Sequence, residues 1–193
     1  MRAAQAGDED SFRLLYRAVQ PGLIRYLWAH AGADAEDIAA ETWLHVARDL
    51  HRFSGDEAGF RGWVTTIARH RFLDHVRKQA RRPHKDEPEE LLLALPAPDD
   101  TEEAVLESLA TAEALELISG LPATQAEAVL LTVVMELDSK TAGKVMRKRS
   151  GTVRVAAHRG LRRLAGHMDG RKIPDQEQTG VTEIPGAAVT GTR

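Results

Sequence analysis

The chain contains no cysteine among its 193 residues. Disulfide frameworks, thiolate metal sites and cysteine nucleophiles are therefore excluded, and any transition-metal site has to be built from the eight His and the carboxylates. Aromatic residues make up 5% of the chain, with three Trp. Long apolar runs are missing too. The longest, such as Ala128 to Met135, fall far short of the roughly 20 residues that a membrane span needs, and the first residues carry no apolar signal core. No membrane insertion and a cytoplasmic location are expected. No stretch of strict apolar–polar alternation marks a strand. Phosphate-binding glycine loops, dinucleotide fingerprints and a nucleophile elbow are absent as well.

What the chain does have is helical periodicity and an uneven distribution of charge. The formal net charge of −3 resolves into segments of 0 over residues 1–80, −8 over 81–116, +5 over 117–169 and 0 over 170–193. Across the end of the first segment and the start of the second, Arg69, Arg71, Arg77, Lys78, Arg81 and Arg82 face only Asp74. Two basic patches thus flank one acidic stretch, a pattern suited to a polyanion touched at two places.

Apolar spacing predicts an all-α fold in two units. A first helix carries Phe12, Leu15, Tyr16 and Val19, with an interruption at Pro21 and a resumption through Ile24, Leu27 and Trp28. Asp34 is positioned to cap a second helix, whose stripe runs Ala35, Ile38, Ala39, Thr42, Trp43, Val46, Leu50 and Phe53. A third helix holds Phe60, Trp63, Val64, Ile67 and Ala68. After a break near His70, a fourth holds Phe72, Leu73, Val76 and Ala80. Trp43 and Trp63 lie on these stripes and are expected to pack in the core. The sequence divides into a helical bundle over 8–82, a Pro-rich acidic linker over 83–100, a second helical unit over 101–168 and a disordered tail over 169–193.

In the second unit, one helix carries Leu106, Leu109, Ala110 and Leu117. Another follows Pro122 with Ala126, Val129, Leu130, Val133, Val134 and Leu137. A short helix from Asp138 and a last one from Ser150, with Val153, Ala156, Ala157, Leu161 and Leu164 inward, form a candidate helix-turn-helix. Its second helix turns Thr152, Arg154, Val155, His158 and Arg159 outward. Arg154 is placed for a guanine edge, and Lys148, Arg149, Arg162 and Arg163 are placed for phosphates.

The run Asp34-Ala-Glu-Asp-Ile-Ala-Ala-Glu-Thr-Trp resembles the sigma-70 family of RNA polymerase initiation factors, in its extracytoplasmic function (ECF) group. So do Phe60-Arg-Gly-Trp-Val-Thr-Thr-Ile-Ala-Arg-His with Asp74 and Arg77, and Leu121-Pro122 ahead of Gly151-Thr-Val-Arg. The resemblance covers roughly residues 8 to 168. It implies a sigma region 2 bundle that binds the polymerase clamp and opens the minus-ten promoter element, and a sigma region 4 helix-turn-helix that reads the minus-35 element. Core RNA polymerase and promoter DNA are the implied partners, and an anti-sigma factor is a candidate third.

The resemblance assigns the clamp contact to Asp37, Glu41 and Arg48, and a flipped minus-ten base to the loop after Ile67, at His70. A Gln common before Glu41 is Ala40 here, and an Asn common at the base-holding position is His70. In the turn, Gly143 stands where Ala is usual and Arg147 where Gly commonly takes a left-handed conformation. Holding an unstacked base and a displaced strand requires a stacking pocket and cations. His70 with Arg69, Arg71, Arg77, Lys78 and Arg81 can supply both.

No catalytic function and no cofactor are expected. His45 with Asp49, and His70 with Asp74, have i, i+4 spacing but lack a third ligand nearby. The alternative function is a stand-alone helix-turn-helix regulator that binds duplex DNA without polymerase. The acidic linker is also a candidate for holding the two units together and masking their basic faces.

Overall fold

Asp8 starts the first long helix, its carboxylate accepting the Ser11 N–H at 2.8 Å. In the computed structural model, which describes the backbone of residues 1–81 and 102–171 and the side chains of 1–81 and 110–167, every described element is helical. A short α1 (Arg2–Gln5), unanticipated from the sequence, precedes α2 (Glu9–Ala31). Gln5 ties it down by donating to the Leu50 and Phe53 carbonyls. The expected interruption at Pro21 does not occur. Pro21 removes one helix hydrogen bond and crowds the preceding turn, a cost of about 3 kcal/mol. Val19, Leu23, Tyr26 and Leu27 on either side are all buried, and at about 1.5–3 kcal/mol per large apolar side chain their burial outweighs it.

The stripe read for α3 (Ala35–Asp49) is the buried one, from Ala35 to Val46. Asp34 occupies the N-cap position, but its carboxylate caps nothing. It accepts instead from His75 and Gln79 of α4, each at 3.0 Å. The third and fourth expected helices are one element, α4 (Glu57–Ala80), capped by Asp56 through the Gly59 N–H. No break occurs at His70. The apparent change of stripe arises because Phe60, Val64, Ile67 and Ala68 are core, whereas Phe72 and Leu73 are half-buried and Val76 and Ala80 exposed. Trp43 is buried against Phe12 and Tyr16, and Trp63 packs beside Phe53 and Phe60.

In the C-terminal unit, α5 (Glu102–Ser119) buries Ala112, Leu115 and Ile118. Ala110, expected inside, is exposed, Leu117 is half-buried, and Leu106 and Leu109 have side chains outside the described residues. The linker and most of the tail also lie outside. After α6 (Ala123–Val129) the chain widens into a π-turn over Leu130–Val134 and reverses at Glu136 with φ 53°. That rotation buries Leu131 and Met135 and leaves Val133, expected inside, half exposed.

Asp138 caps α7 (Ser139–Met146) by accepting the Lys140 and Thr141 N–H groups. The helix ends on Arg147, which is left-handed at φ 55°, ψ 41°, with the Lys148 N–H returning to the Gly143 carbonyl at 2.9 Å. A Cβ at Gly143 would lie 2.8 Å from the Lys148 carbonyl oxygen, which explains glycine there. In α8 (Ser150–Arg171), Val153, Ala156 and Ala157 are buried. Leu161, expected in the core, is 45% exposed. Gly160 faces α6 so closely that a Cβ would sit 2.7 Å from the Val129 methyl, and this choice of facing residue turns Leu161 outward.

One apolar cluster runs through both units, which meet along a seam of α2 and α4 against α5, the π-turn and α7. Gly22 and Gly62 lie at this seam. A Cβ on Gly22 would come within 2.9 Å of the Val134 carbonyl, and one on Gly62 would overlap the Thr141 methyl. Mid-helix glycine costs roughly 0.5–1 kcal/mol relative to alanine. At the centre of the seam Glu127 of α6 accepts from Tyr26 at 3.0 Å, His30 at 2.8 Å and Arg69 at 3.3 Å. His30 Nδ1 faces the Tyr26 carbonyl at 2.8 Å, so both ring nitrogens meet acceptors and the imidazolium satisfies both.

Burial pushes the His30 imidazole down, but the hydrogen bond and charge of Glu127 outweigh it and leave the group raised. Burial likewise pushes Glu127 up, and donation from His30, with Tyr26 and Arg69 behind it, leaves its carboxyl lowered.

Two outcomes are expected. Arg147→Gly, which relieves a left-handed non-glycine residue, should stabilise the chain by about 1 kcal/mol in urea unfolding, whereas Gly143→Ala should destabilise it. The raised His30 contributes stability that is full below its ordinary 6.5 and is lost as pH rises past it; the lowered Glu127 contributes stability that is full above its ordinary 4.5 and is lost as pH falls. The seam should therefore be tightest between those values, and Glu127→Gln should flatten the thermal midpoint against pH.

Candidate nucleic-acid interface

The turn at Arg147 sets α8 across α7 and fixes which face of α8 reaches solvent. With Val153, Ala156 and Ala157 facing the core, Thr152, Arg154, Val155, His158 and Arg159 are all exposed on the opposite face. Lys148 and Arg149 in the turn, and Arg162 and Arg163 further along α8, are exposed too. Arg163 donates to Gln125 at 3.2 Å, a tie to α6 not visible from sequence. Thr152, Val155 and Arg159 also line a groove of about 610 Å³ shared with Thr124 and Gln125 at the start of α6. This face presents a hydroxyl, a branched methyl pair and guanidinium forks, the groups that distinguish thymine methyls and guanine edges in a major groove.

The second basic group lies on the distal half of α4. His70, Arg69, Arg71 and Arg77 line a pocket of about 420 Å³ together with His45. Lys78 and Arg81, expected in the same group, are exposed further along and do not line it. Arg71 reaches the His45 Nδ1 at 2.7 Å, with Arg48 at 3.3 Å, while His45 Nε2 faces Asp49 at 3.1 Å. Burial, then the charges of Arg48 and Arg71, lower the His45 imidazole, so its neutral form donates through Nε2 to Asp49 and accepts through Nδ1. Arg77 pairs with Asp74 at 3.0 Å. Arg69 is engaged across the seam by Glu127, and Arg147 of the other unit forms part of the pocket wall. Neither contact had a signal in the sequence, because each joins residues dozens of positions apart.

The third candidate face is the outer side of α3. Asp37, Glu41 and Arg48 are exposed there, Arg48 leaning on Asp49 at 3.3 Å. Among them stands Leu44, 73% exposed, which the sequence reading left unassigned. Its signal was an apolar residue one position off the buried stripe. Among the described residues, no three His, Asp or Glu side chains gather as a metal site and no helix is long and apolar enough to cross a membrane.

Comparison with known proteins bears on these faces. Residues 15–82 match the family described as Sigma-70 region 2, and residues 111–164 match Sigma-70, region 4. The ECF RNA polymerase sigma factor BldN of Streptomyces coelicolor is 33% identical over 174 residues, covering 89% of this chain, which spans 64% of that relative's length. The ECF RNA polymerase sigma factor SigD of Mycobacterium bovis is 30% identical over 167 residues, covering 83% of this chain and 78% of the relative. Among solved structures, the sigma factor RpoE in complex with the anti-sigma factor NepR from Bartonella quintana shares the fold at a TM-score of 0.57 and 18% identity, over 84% of this chain and 99% of that one. With both regions matched in order, the chain belongs to the sigma-70 family, in the ECF group of RNA polymerase sigma factors.

Proposed function

We propose that this chain directs core RNA polymerase to specific promoters and takes part in opening them, with no catalytic step of its own. The carrying observation is the pair of separate basic faces, one on distal α4 and one on α8, each set on its own matched sigma region. The α8 face, led by Arg154 and Arg159 with Thr152, Val155 and His158, reads the duplex minus-35 element. Lys148, Arg149 and Arg162 position it on phosphates. On α4, His70 stacks an unpaired minus-ten base while Arg69, Arg71, Arg77, Lys78 and Arg81 hold the displaced strand. The outer face of α3 binds the polymerase clamp, with Leu44 as its apolar centre and Asp37, Glu41 and Arg48 around it. Family membership favours this reading over a stand-alone regulator, and makes an anti-sigma factor a further candidate partner. Transcription in vitro with core polymerase on a promoter library tests it: dependence on core and an asymmetric two-element site support it, and a palindrome bound without core overturns it.

Arg154→Ala, alone or with Arg159→Ala, should relax the upstream preference by about 1–3 kcal/mol of discrimination per lost bidentate contact while leaving retention by core polymerase unchanged. Binding selection with each variant checks this, and an unchanged consensus in the double variant would move recognition off α8. Asp37→Ala with Glu41→Ala should weaken retention on immobilised core polymerase without altering helicity, since both side chains are exposed and off the buried stripe.

A further inference from the structure

We infer that the pocket between distal α4 and the turn at Arg147 is a binding site for a small soluble ligand of the nucleoside diphosphate class, with Arg71, Arg77 and Arg147 on its phosphates and His70 beside its base. The inference goes beyond promoter recognition, because the ligand is a free nucleotide bound without DNA or polymerase.

The charge of the lining points to phosphate. Four guanidinium groups, those of Arg69, Arg71, Arg77 and Arg147, line a pocket of about 420 Å³ in which Asp74 is the single carboxylate. Arg69 is paired with Glu127, and Arg77 with Asp74. Arg71 donates to the neutral His45 and to no carboxylate among the described residues, where Arg147 has no ion-pair partner either. Two positive charges are thus left without a counter-ion in one concave site, and an anion with two adjacent charged groups matches them. Guanidinium forks take phosphate oxygens in pairs, which suits a diphosphate better than a single phosphate. The His45 imidazole registers the excess, being lowered by burial and then by the charges of Arg48 and Arg71.

Arg147 carries the argument furthest. It is the left-handed residue that ends α7, at φ 55° and ψ 41°, a position that glycine fills without strain. The backbone bond that closes the turn, from Lys148 to Gly143, asks for no side chain at residue 147. What the arginine adds is a guanidinium in the pocket wall, brought to the α4 cations from the other sigma region. Backbone strain of this kind persists where a ligand clamp makes use of it.

The volume lies within the range of small-molecule sites and leaves room beyond two phosphates. That room is bounded by Ile67, Leu73 and the exposed ring of His70, an apolar and aromatic surface on which a base can lie.

Calorimetric titration of the full chain in metal-free buffer, with ADP, GDP, AMP and inorganic pyrophosphate in turn, tests the site. A nucleoside diphosphate should bind about tenfold tighter than AMP or pyrophosphate, the worth of one charge-assisted contact. Arg147→Gly, which relieves strain and so keeps the fold, should weaken that binding about tenfold, and Arg71→Ala should do the same. Arg17→Ala removes an exposed cation that does not line the pocket and should change nothing. The His45 titration, followed by NMR, should move up on saturation, because a phosphate at Arg71 offsets the charge that depresses it.

No binding of any probe at millimolar concentration overturns the site. Equal weakening by Arg17→Ala, or full binding by Arg147→Gly with an unmoved His45, marks diffuse attraction and overturns it too. Pyrophosphate bound as tightly as ADP and GDP overturns the nucleoside, and AMP bound as tightly overturns the diphosphate. None of these outcomes touches the promoter reading, since no DNA is present.

Discussion

A carboxylate removed from water is stable only where donors replace its hydration, and Glu127 finds its donors on the opposite sigma region. Tyr26, His30 and Arg69 converge on it from two helices that are otherwise ordinary members of the region 2 bundle. Losing one partner of such a buried group costs several kcal/mol, because the other is left charged and unsatisfied. The carboxylate is therefore satisfied only when its donors are in place, which fixes how the two regions meet. The apolar surface around it, from Leu23 and Tyr26 to Met135, supplies non-directional attraction, and the Glu127 cluster supplies the register.

That register has consequences for both faces assigned to nucleic acid. Arg69 takes part in the seam and also lines the pocket around His70. Arg71 is held differently, by a neutral His45 within region 2, and its position does not depend on docking. Arg154 and Arg159 face solvent.

The helix-turn-helix shows how strain and close approach cooperate. Arg147 accepts a left-handed backbone because the return of Lys148 to Gly143 requires it, and Gly143 is tolerated because any Cβ would strike that return. The conformations at these two positions are coupled. Each is explicable only beside the other, since the space gained at residue 143 is used by the chain leaving residue 147.

Much of this was legible in the order of residues. The helical class, the α3 stripe, the start of α7 at Asp138 and the outward face of α8 follow from spacing and side-chain chemistry within one or two turns, where periodicity and hydrogen-bonding rules are local, while the left-handed Arg147 was expected from the family resemblance. The misplacements were of a different kind. Pro21 sits inside a continuous helix because buried neighbours on either side outweigh its local penalty, α4 runs unbroken through His70 while its stripe passes from core to half-buried, Asp34 leaves its cap for α4, and Gly160 rather than Leu161 meets α6. Arg69 meeting Glu127 had no sequence signal at all. The sequence by itself determined which helices form and which faces they offer; which face meets which, and so which cation Glu127 engages, was decided by tertiary structure, because close packing and the pairing of a buried charge depend on partners that chain order does not place side by side.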